Sequence, residues 1–240
     1  GSVGLELRSG GSGLYNTFVG DDAGAYNTTG ANNSFLGMQA GYSNTTGSNN
    51  SFLGMQAGYS NTTGSNNSFL GTQAGYSNTT GYYNSFLGMQ AGYSNTTGNN
   101  NSFLGMQAGY DVTEGLTNTL LGYNTGRGIT TGDKNTIVGA NVTGLAADLS
   151  NNIILADGDG NQRIRVNSSG NVGIGTTSPS TKLHIGAGAM TLEAMTAPSS
   201  PASDKAVLFL EATGTSPSRT VALKVKWQDG STSTLASVTV

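Results

Sequence analysis

Asn33-Ser34-Phe35-Leu36-Gly37-Met38-Gln39-Ala40-Gly41-Tyr42-Ser43-Asn44-Thr45-Thr46-Gly47-Ser48-Asn49 is followed at once by a copy of itself beginning at Asn50. Working outward, the leading Asn recurs at 16, 33, 50, 67, 84, 101, 118, 135 and 152, always 17 residues on. No insertion breaks the count. The motif drifts only toward the ends, through Asn118-Thr119-Leu120-Leu121-Gly122 and Asn135-Thr136-Ile137-Val138-Gly139 to Asn152-Ile153-Ile154-Leu155-Ala156.

A fixed short period without drift marks a stack of equal units. Helical repeats need about 30 residues or more for two helices and a turn, so 17-residue units exclude them. Each unit has room for two short strands and two turns. Ser-Phe-Leu reads as strand, and Asn44-Thr45-Thr46-Gly47 as turn. Gly41, Gly58 and Gly75 each follow an Ala and mark tight corners. The expected fold is all-β: a β-solenoid (β-roll) of 17-residue coils about 4.8 Å apart, followed by a β-hairpin region and a small C-terminal β domain.

Stacking places equivalent residues in columns. Asn33, Asn50, Asn67, Asn84 and Asn101 form an expected amide ladder. Tyr42, Tyr59, Tyr76, Tyr93 and Tyr110 form an aromatic column and are candidates for surface contact. Charge columns would repel, and no Asp, Glu, Lys or Arg lies between Asp22 and Asp111. Adjacent strand residues face opposite ways, so one of Phe35 and Leu36 fills the coil and the other makes a continuous outward stripe. Assigning the outward row to Phe35, Phe52, Phe69, Phe86 and Phe103 makes these the expected oligomer interface. The same stripe on each copy can meet itself about a common axis.

The boundaries expected are a cap or leading strand over 1–13, the solenoid over 14–156, a hairpin and connector over 157–186, and a β domain over 187–240. Ile153–Leu155 and Gln162–Val166 read as strands joined by Asp157-Gly158-Asp159-Gly160-Asn161. That acidic turn hints at calcium, but it lacks the later Glu of a helix-flanked calcium loop, so a plain turn is expected. The last strands are read at Ala206–Leu210, Thr220–Trp227 and Thr234–Val240, with Phe209 and Trp227 as core.

The chain has 240 residues, no Cys, one His (His184) and a formal net charge of −3. It has no basic stripe, which argues against nucleic acid. Nor does it contain an apolar run near the ~20 residues of a membrane span. The start at Gly1-Ser2-Val3-Gly4 is read as the end of a processed product or fragment. Catalysis needs nucleophiles or groups titrating near neutrality. Asp21-Asp22 face opposite ways on a strand, Asp111 with Glu114 lies at the end of the stack, and His184 is expected to be structural. Neither enzymatic activity nor a cofactor is expected.

The Asn-Ser/Thr-apolar-apolar-Gly repeats with Ala-Gly corners resemble the β-roll heads of trimeric autotransporter adhesins. They resemble still more the repeats of phage tail-fibre and related surface proteins. Asn171-Val172-Gly173-Ile174-Gly175-Thr176-Thr177-Ser178-Pro179-Ser180-Thr181-Lys182-Leu183-His184-Ile185 resembles a linker box of the tail-fibre group. The 17-residue unit is longer than the adhesin-head repeat, and neither a membrane-anchor barrel nor a chaperone helix region is read in the chain. The resemblance implies a parallel homotrimer, an extracellular, cell-surface or virion location, and a role in attachment. Self-association and a cell-surface glycan are the partners expected. Two alternatives stay open: an extracellular filament polymerising end to end, and an ice-binding solenoid using Thr45-Thr46, Thr62-Thr63, Thr79-Thr80 and Thr96-Thr97.

Overall fold

The computed structural model describes residues 7–8, 14–187, 207–213, 220–227 and 231–239. The chain divides into two compact units, Gly1–Ala187 and Gly188–Val240.

The first unit is a 13-stranded sheet in sequence order. β1 (Leu7–Arg8) pairs antiparallel with β2 (Thr17–Val19). β3 (Ser34–Leu36), β4 (Ser51–Leu53), β5 (Ser68–Leu70), β6 (Ser85–Leu87), β7 (Ser102–Leu104), β8 (Thr119–Leu121), β9 (Thr136–Val138) and β10 (Ile153–Ala156) follow in parallel. Every parallel pair is in register by one repeat: Phe18 faces Phe35, Phe35 faces Phe52, and so to Ile137 facing Ile154. The 17-residue period is thus one turn of a β-solenoid.

Each coil holds one three-residue strand, not the two expected. Turns supply the rest of the circuit, and their backbone N–H groups still bond across coils. Thr45 O accepts from three successive N–H groups of the preceding coil, Thr28 (2.9 Å), Thr29 (3.1 Å) and Gly30 (3.2 Å). The same triple contact recurs at Thr62 and Thr79. The backbone is therefore satisfied without a second strand.

The interior is a stack of flat rings. Phe18, Phe35, Phe52, Phe69, Phe86 and Phe103 are each 1% exposed. Successive centroids lie 4.7–4.9 Å apart with rings 5–9° from parallel. Burying each ring contributes about 1.5–3 kcal/mol. Leu120, Ile137 and Ile154 continue the column, and Ala40 and its equivalents complete the core. The far wall must be thin. Gly41 sits at φ +59°, and a Cβ there would strike the Phe35 ring, so both backbone and space demand glycine.

Two asparagine columns close the coil from within. Asn50 N–H donates to Asn33 Oδ1 (2.9 Å), and Asn33 Nδ2 donates to Gly47 O (2.8 Å). This column, Asn33 to Asn101, ties amide to backbone and not amide to amide. Direct amide stacking occurs in the other column: Asn61 Nδ2 donates to Asn44 Oδ1 (2.7 Å), and Asn78 Nδ2 to Asn61 Oδ1 (2.8 Å). The glutamines form a third ladder, as Gln56 Nε2 donates to Gln39 Oε1 (3.0 Å).

After β10 the chain reverses. β11 (Gln162–Val166) pairs antiparallel with β10, β12 (Val172–Ile174) antiparallel with β11, and β13 (Leu183–Ile185) parallel to β12. The Ile153–Val166 hairpin is formed as expected. In the second unit β14 (Val207–Thr213), β15 (Thr220–Lys226) and β16 (Thr232–Thr239) make an antiparallel sheet. Trp227 is not core: one residue beyond β15 it is 45% exposed and donates to Ser233 Oγ (3.0 Å). The Phe209 side chain lies outside the described residues.

Candidate interaction surface

The phenylalanine column is inside, so it is not the outward row. That correction follows from the Ala-Gly wall: Gly41 leaves room beside it for the flat Phe35 ring, and Leu36 takes the outer side. Leu36, Leu53, Leu70, Leu87, Leu104, Leu121 and Leu155 are 40–48% exposed. Across the Gly37-type corner Met38, Met55, Met89 and Met106 are 40–45% exposed. Leu87, Leu104 and Leu121, with Ser102 and Thr119, line a shallow apolar groove on this side.

The leucine row continues beyond the solenoid. Leu155 faces Ile164, Ile164 faces Ile174, and Ile174 faces Ile185. Residues directly opposite in a sheet share a face. One apolar row therefore runs from Val19 to Ile185 across 12 strands, β2 to β13. At ~4.8 Å per strand it is ~53 Å long; at ~10 Å wide it covers roughly 500 Å². That is near the upper end of what soluble monomers leave uncovered.

The tyrosine column is half-buried, its rings 4.9–5.1 Å apart and 3–6° from parallel. Stacked rings cover each other's faces. Tyr26 meets Tyr42 edge-on at one end, and the Arg127 guanidinium lies 4.6 Å over Tyr110 at the other. The column therefore offers ring edges and hydroxyls to a sugar, not free faces. The Tyr26 hydroxyl, 3.4 Å from that of Tyr42, is the main cause that pushes the Tyr42 phenol up to about 12. Free aromatic faces stand elsewhere: Tyr82 and Tyr83, 44% and 58% exposed, meet edge to face in the single coil that carries them.

The threonine pairs do not make a two-row array. Thr45 Oγ1 donates to Thr62 O (3.0 Å) and Thr62 Oγ1 to Thr79 O (3.1 Å), which ties that row into the stack. Thr46, Thr63, Thr80 and Thr97 remain as one exposed row.

The acids are engaged locally. Asp111 Oδ2 accepts from Arg127 Nε (2.7 Å) and Gly128 N–H (2.9 Å), while Glu114 is exposed. Asp157 Oδ1 accepts from the N–H groups of Asp159 and Asn161, both at 3.0 Å, and Oδ2 accepts from Arg163 Nε (2.9 Å). Asn161 above all, with Arg163, holds that carboxyl at about 2. Its oxygens are filled by donors, as a plain turn requires. Among the described residues no three His, Cys, Asp or Glu gather where they could hold a metal ion. His184 Nδ1 accepts from Ser180 N–H (3.4 Å).

Comparison with protein-family models, with curated proteins and with solved structures finds no match to this chain. The chain is a β-solenoid repeat protein by its own geometry.

Proposed function

We propose that this chain is a non-enzymatic fibre segment that associates side by side with copies of itself, as the shaft of an extracellular tail fibre or surface adhesin serving attachment. The supporting observation is the uninterrupted apolar row from Val19 to Ile185. Every copy carries the same row, and a common axis lets each row cover its neighbours'. Three copies is the number implied by the resemblance to trimeric fibres.

End-to-end polymerisation is less favoured. β1 closes the β2 edge and β11 closes the β10 edge, both antiparallel and within the chain. Among the described residues β2 and β10, the terminal strands of the parallel ladder, are both paired on their outer sides, and the sheet ends on β1 and β13 instead.

Light scattering coupled to size exclusion tests the proposal. A discrete oligomer is expected, and Leu70→Lys with Leu87→Lys should reduce it to monomers that keep the β-rich circular dichroism spectrum. A wild-type protein that stays monomeric at micromolar concentration would refute self-association.

A further inference from the structure

In the solenoid the outward face alternates a leucine row with a Ser/Thr row. Beyond β9 the Ser/Thr row turns apolar as well: Thr136 faces Ile153, Ile153 faces Val166, Val166 faces Val172, and Val172 faces Leu183. Over β10–β13 both outward rows are therefore aliphatic. Ile153, Leu155, Ile164, Ile174 and Leu183 are 46%, 41%, 37%, 44% and 55% exposed. The opposite face carries Ile154, Arg165, Gly173 and His184, of which Arg165 turns back to Asn152 Oδ1 (3.0 Å). This four-stranded part has its apolar side outward and a mixed side behind it, the reverse of the coils.

We infer that the aliphatic face of β10–β13 is where a second copy of this chain docks to set the axial register of the assembled shaft. The inference rests on the side-by-side association proposed above. A shaft of equal coils cannot set register by itself. Sliding one copy past another by one ~4.8 Å step puts Leu against Leu and Ser against Ser again, and only the ends lose contact. β10–β13 breaks that degeneracy. Its strands are joined by connections of five, five and eight residues where the coils have 14, and its second row is aliphatic where the shaft's is Ser. A one-step slip sets Ile153 or Leu183 of one copy against a Ser/Thr row or solvent. A second copy is the fitting occupant, because the face continues the shaft's own row without a break and both of its rows are aliphatic.

The chain has no Cys, which makes cross-linking informative. Single cysteines would replace the exposed Ser51, Ser68 and Ser85, and the variants would be mixed in pairs and oxidised. Bridging needs Cα atoms within about 7 Å, so pairs one ~4.8 Å step out of register sit near or beyond that limit and link less efficiently. In an otherwise unaltered chain one offset should dominate its neighbours by roughly tenfold, the ratio given by ~1.4 kcal/mol. Adding Ile174→Thr with Leu183→Thr, and separately Ile164→Thr, should leave the scattering mass unchanged and spread the links over adjacent offsets; threonine keeps the strand propensity. A single offset that survives these changes, or several offsets before them, overturns the register role. Variants that fall to monomers overturn it too, by placing all association at this end. No links in any mixture, with the unaltered chain a monomer, removes side-by-side association and this inference together.

Discussion

The amide ladder that starts at Asn27 stops at Asn95 because Val112 stands where the next asparagine would be. Asn95 Nδ2 donates to Asn78 Oδ1 (2.8 Å) and Gly98 O (3.1 Å), but its own Oδ1 is buried without a donor. A buried unpaired acceptor costs about 1–3 kcal/mol, so the ladder ends at a cost that its inner members do not bear.

Position along that ladder should decide the cost of truncation. Asn61→Ala strips Asn44 Oδ1 and Gly64 O of a donor and Asn78 Nδ2 of an acceptor; a loss of about 2–4 kcal/mol is expected. Asn95→Ala also removes the orphaned oxygen and should cost about half as much. Val112→Asn only moves the orphan one coil on and should lie within ~1 kcal/mol of the parent. Chemical denaturation midpoints rank the three, and equal costs for Asn61 and Asn95 would contradict the end effect.

Adjacent residues of one strand should fail in different ways. Phe69→Ala opens the ring stack and should cost about 3–5 kcal/mol. Phe69→Leu should be far milder, since Leu120 fills the same column. Leu70→Ser leaves the coil interior intact and should lower the oligomer mass with little loss of secondary structure. Sedimentation velocity and circular dichroism, run on the same samples, separate the two behaviours. A Leu70→Ser protein that unfolds would place that side chain in the core after all.

Thr117 holds a left-handed backbone at φ +59°, the corner occupied by Asn32, Asn49, Asn66 and Asn100 in other coils. β-Branched residues are strained there and asparagine is tolerated. Thr117 is exposed, so Thr117→Asn should raise stability by ~1 kcal/mol without touching the core. A lower thermal midpoint for that variant would show that the corner is not strained.

The β10–β11 turn has its own acid limit. Asp157 is depressed in the folded chain from 3.8 to about 2, chiefly by the Asn161 amide. A depressed acid stabilises the fold above its unfolded value and loses that contribution as pH falls toward its folded value. The Asp159 and Asn161 amide signals should therefore hold down to about pH 4 and shift between about pH 4 and 2. In Asp157→Asn the same signals should show no transition in that window; a transition that persists would assign the effect elsewhere.

The 17-residue spacing of Asn alone carried the register of all nine parallel strands, because a period without insertions leaves one pairing. Which of Phe35 and Leu36 faces inward was not legible. Both columns stay apolar from the first coil to the last, and in sequence an exposed apolar row reads like a core one. The missing signal lay across the coil, in the Ala40-Gly41 wall that makes room for the ring. The second asparagine column could have been found, since Val112 and Ile129 replace Asn95 in later coils, an exchange expected of an interior position. The double aliphatic face of β10–β13 needed the register itself. Ile164 and Val166, Val172 and Ile174, and Leu183 and Ile185 alternate visibly, but only strand pairing brings them to one side.

Between Asp22 and Asp111 the strand pairings and the backbone hydrogen bonds from coil to coil repeat with the 17-residue unit. Duplicating or deleting one unit in frame would therefore alter the length of the solenoid by a single ~4.8 Å increment and leave the remaining units undisturbed. Length becomes a quantity that recombination between near-identical repeats can tune, while the ends that differ, β1 and β10–β13, travel unchanged with every length.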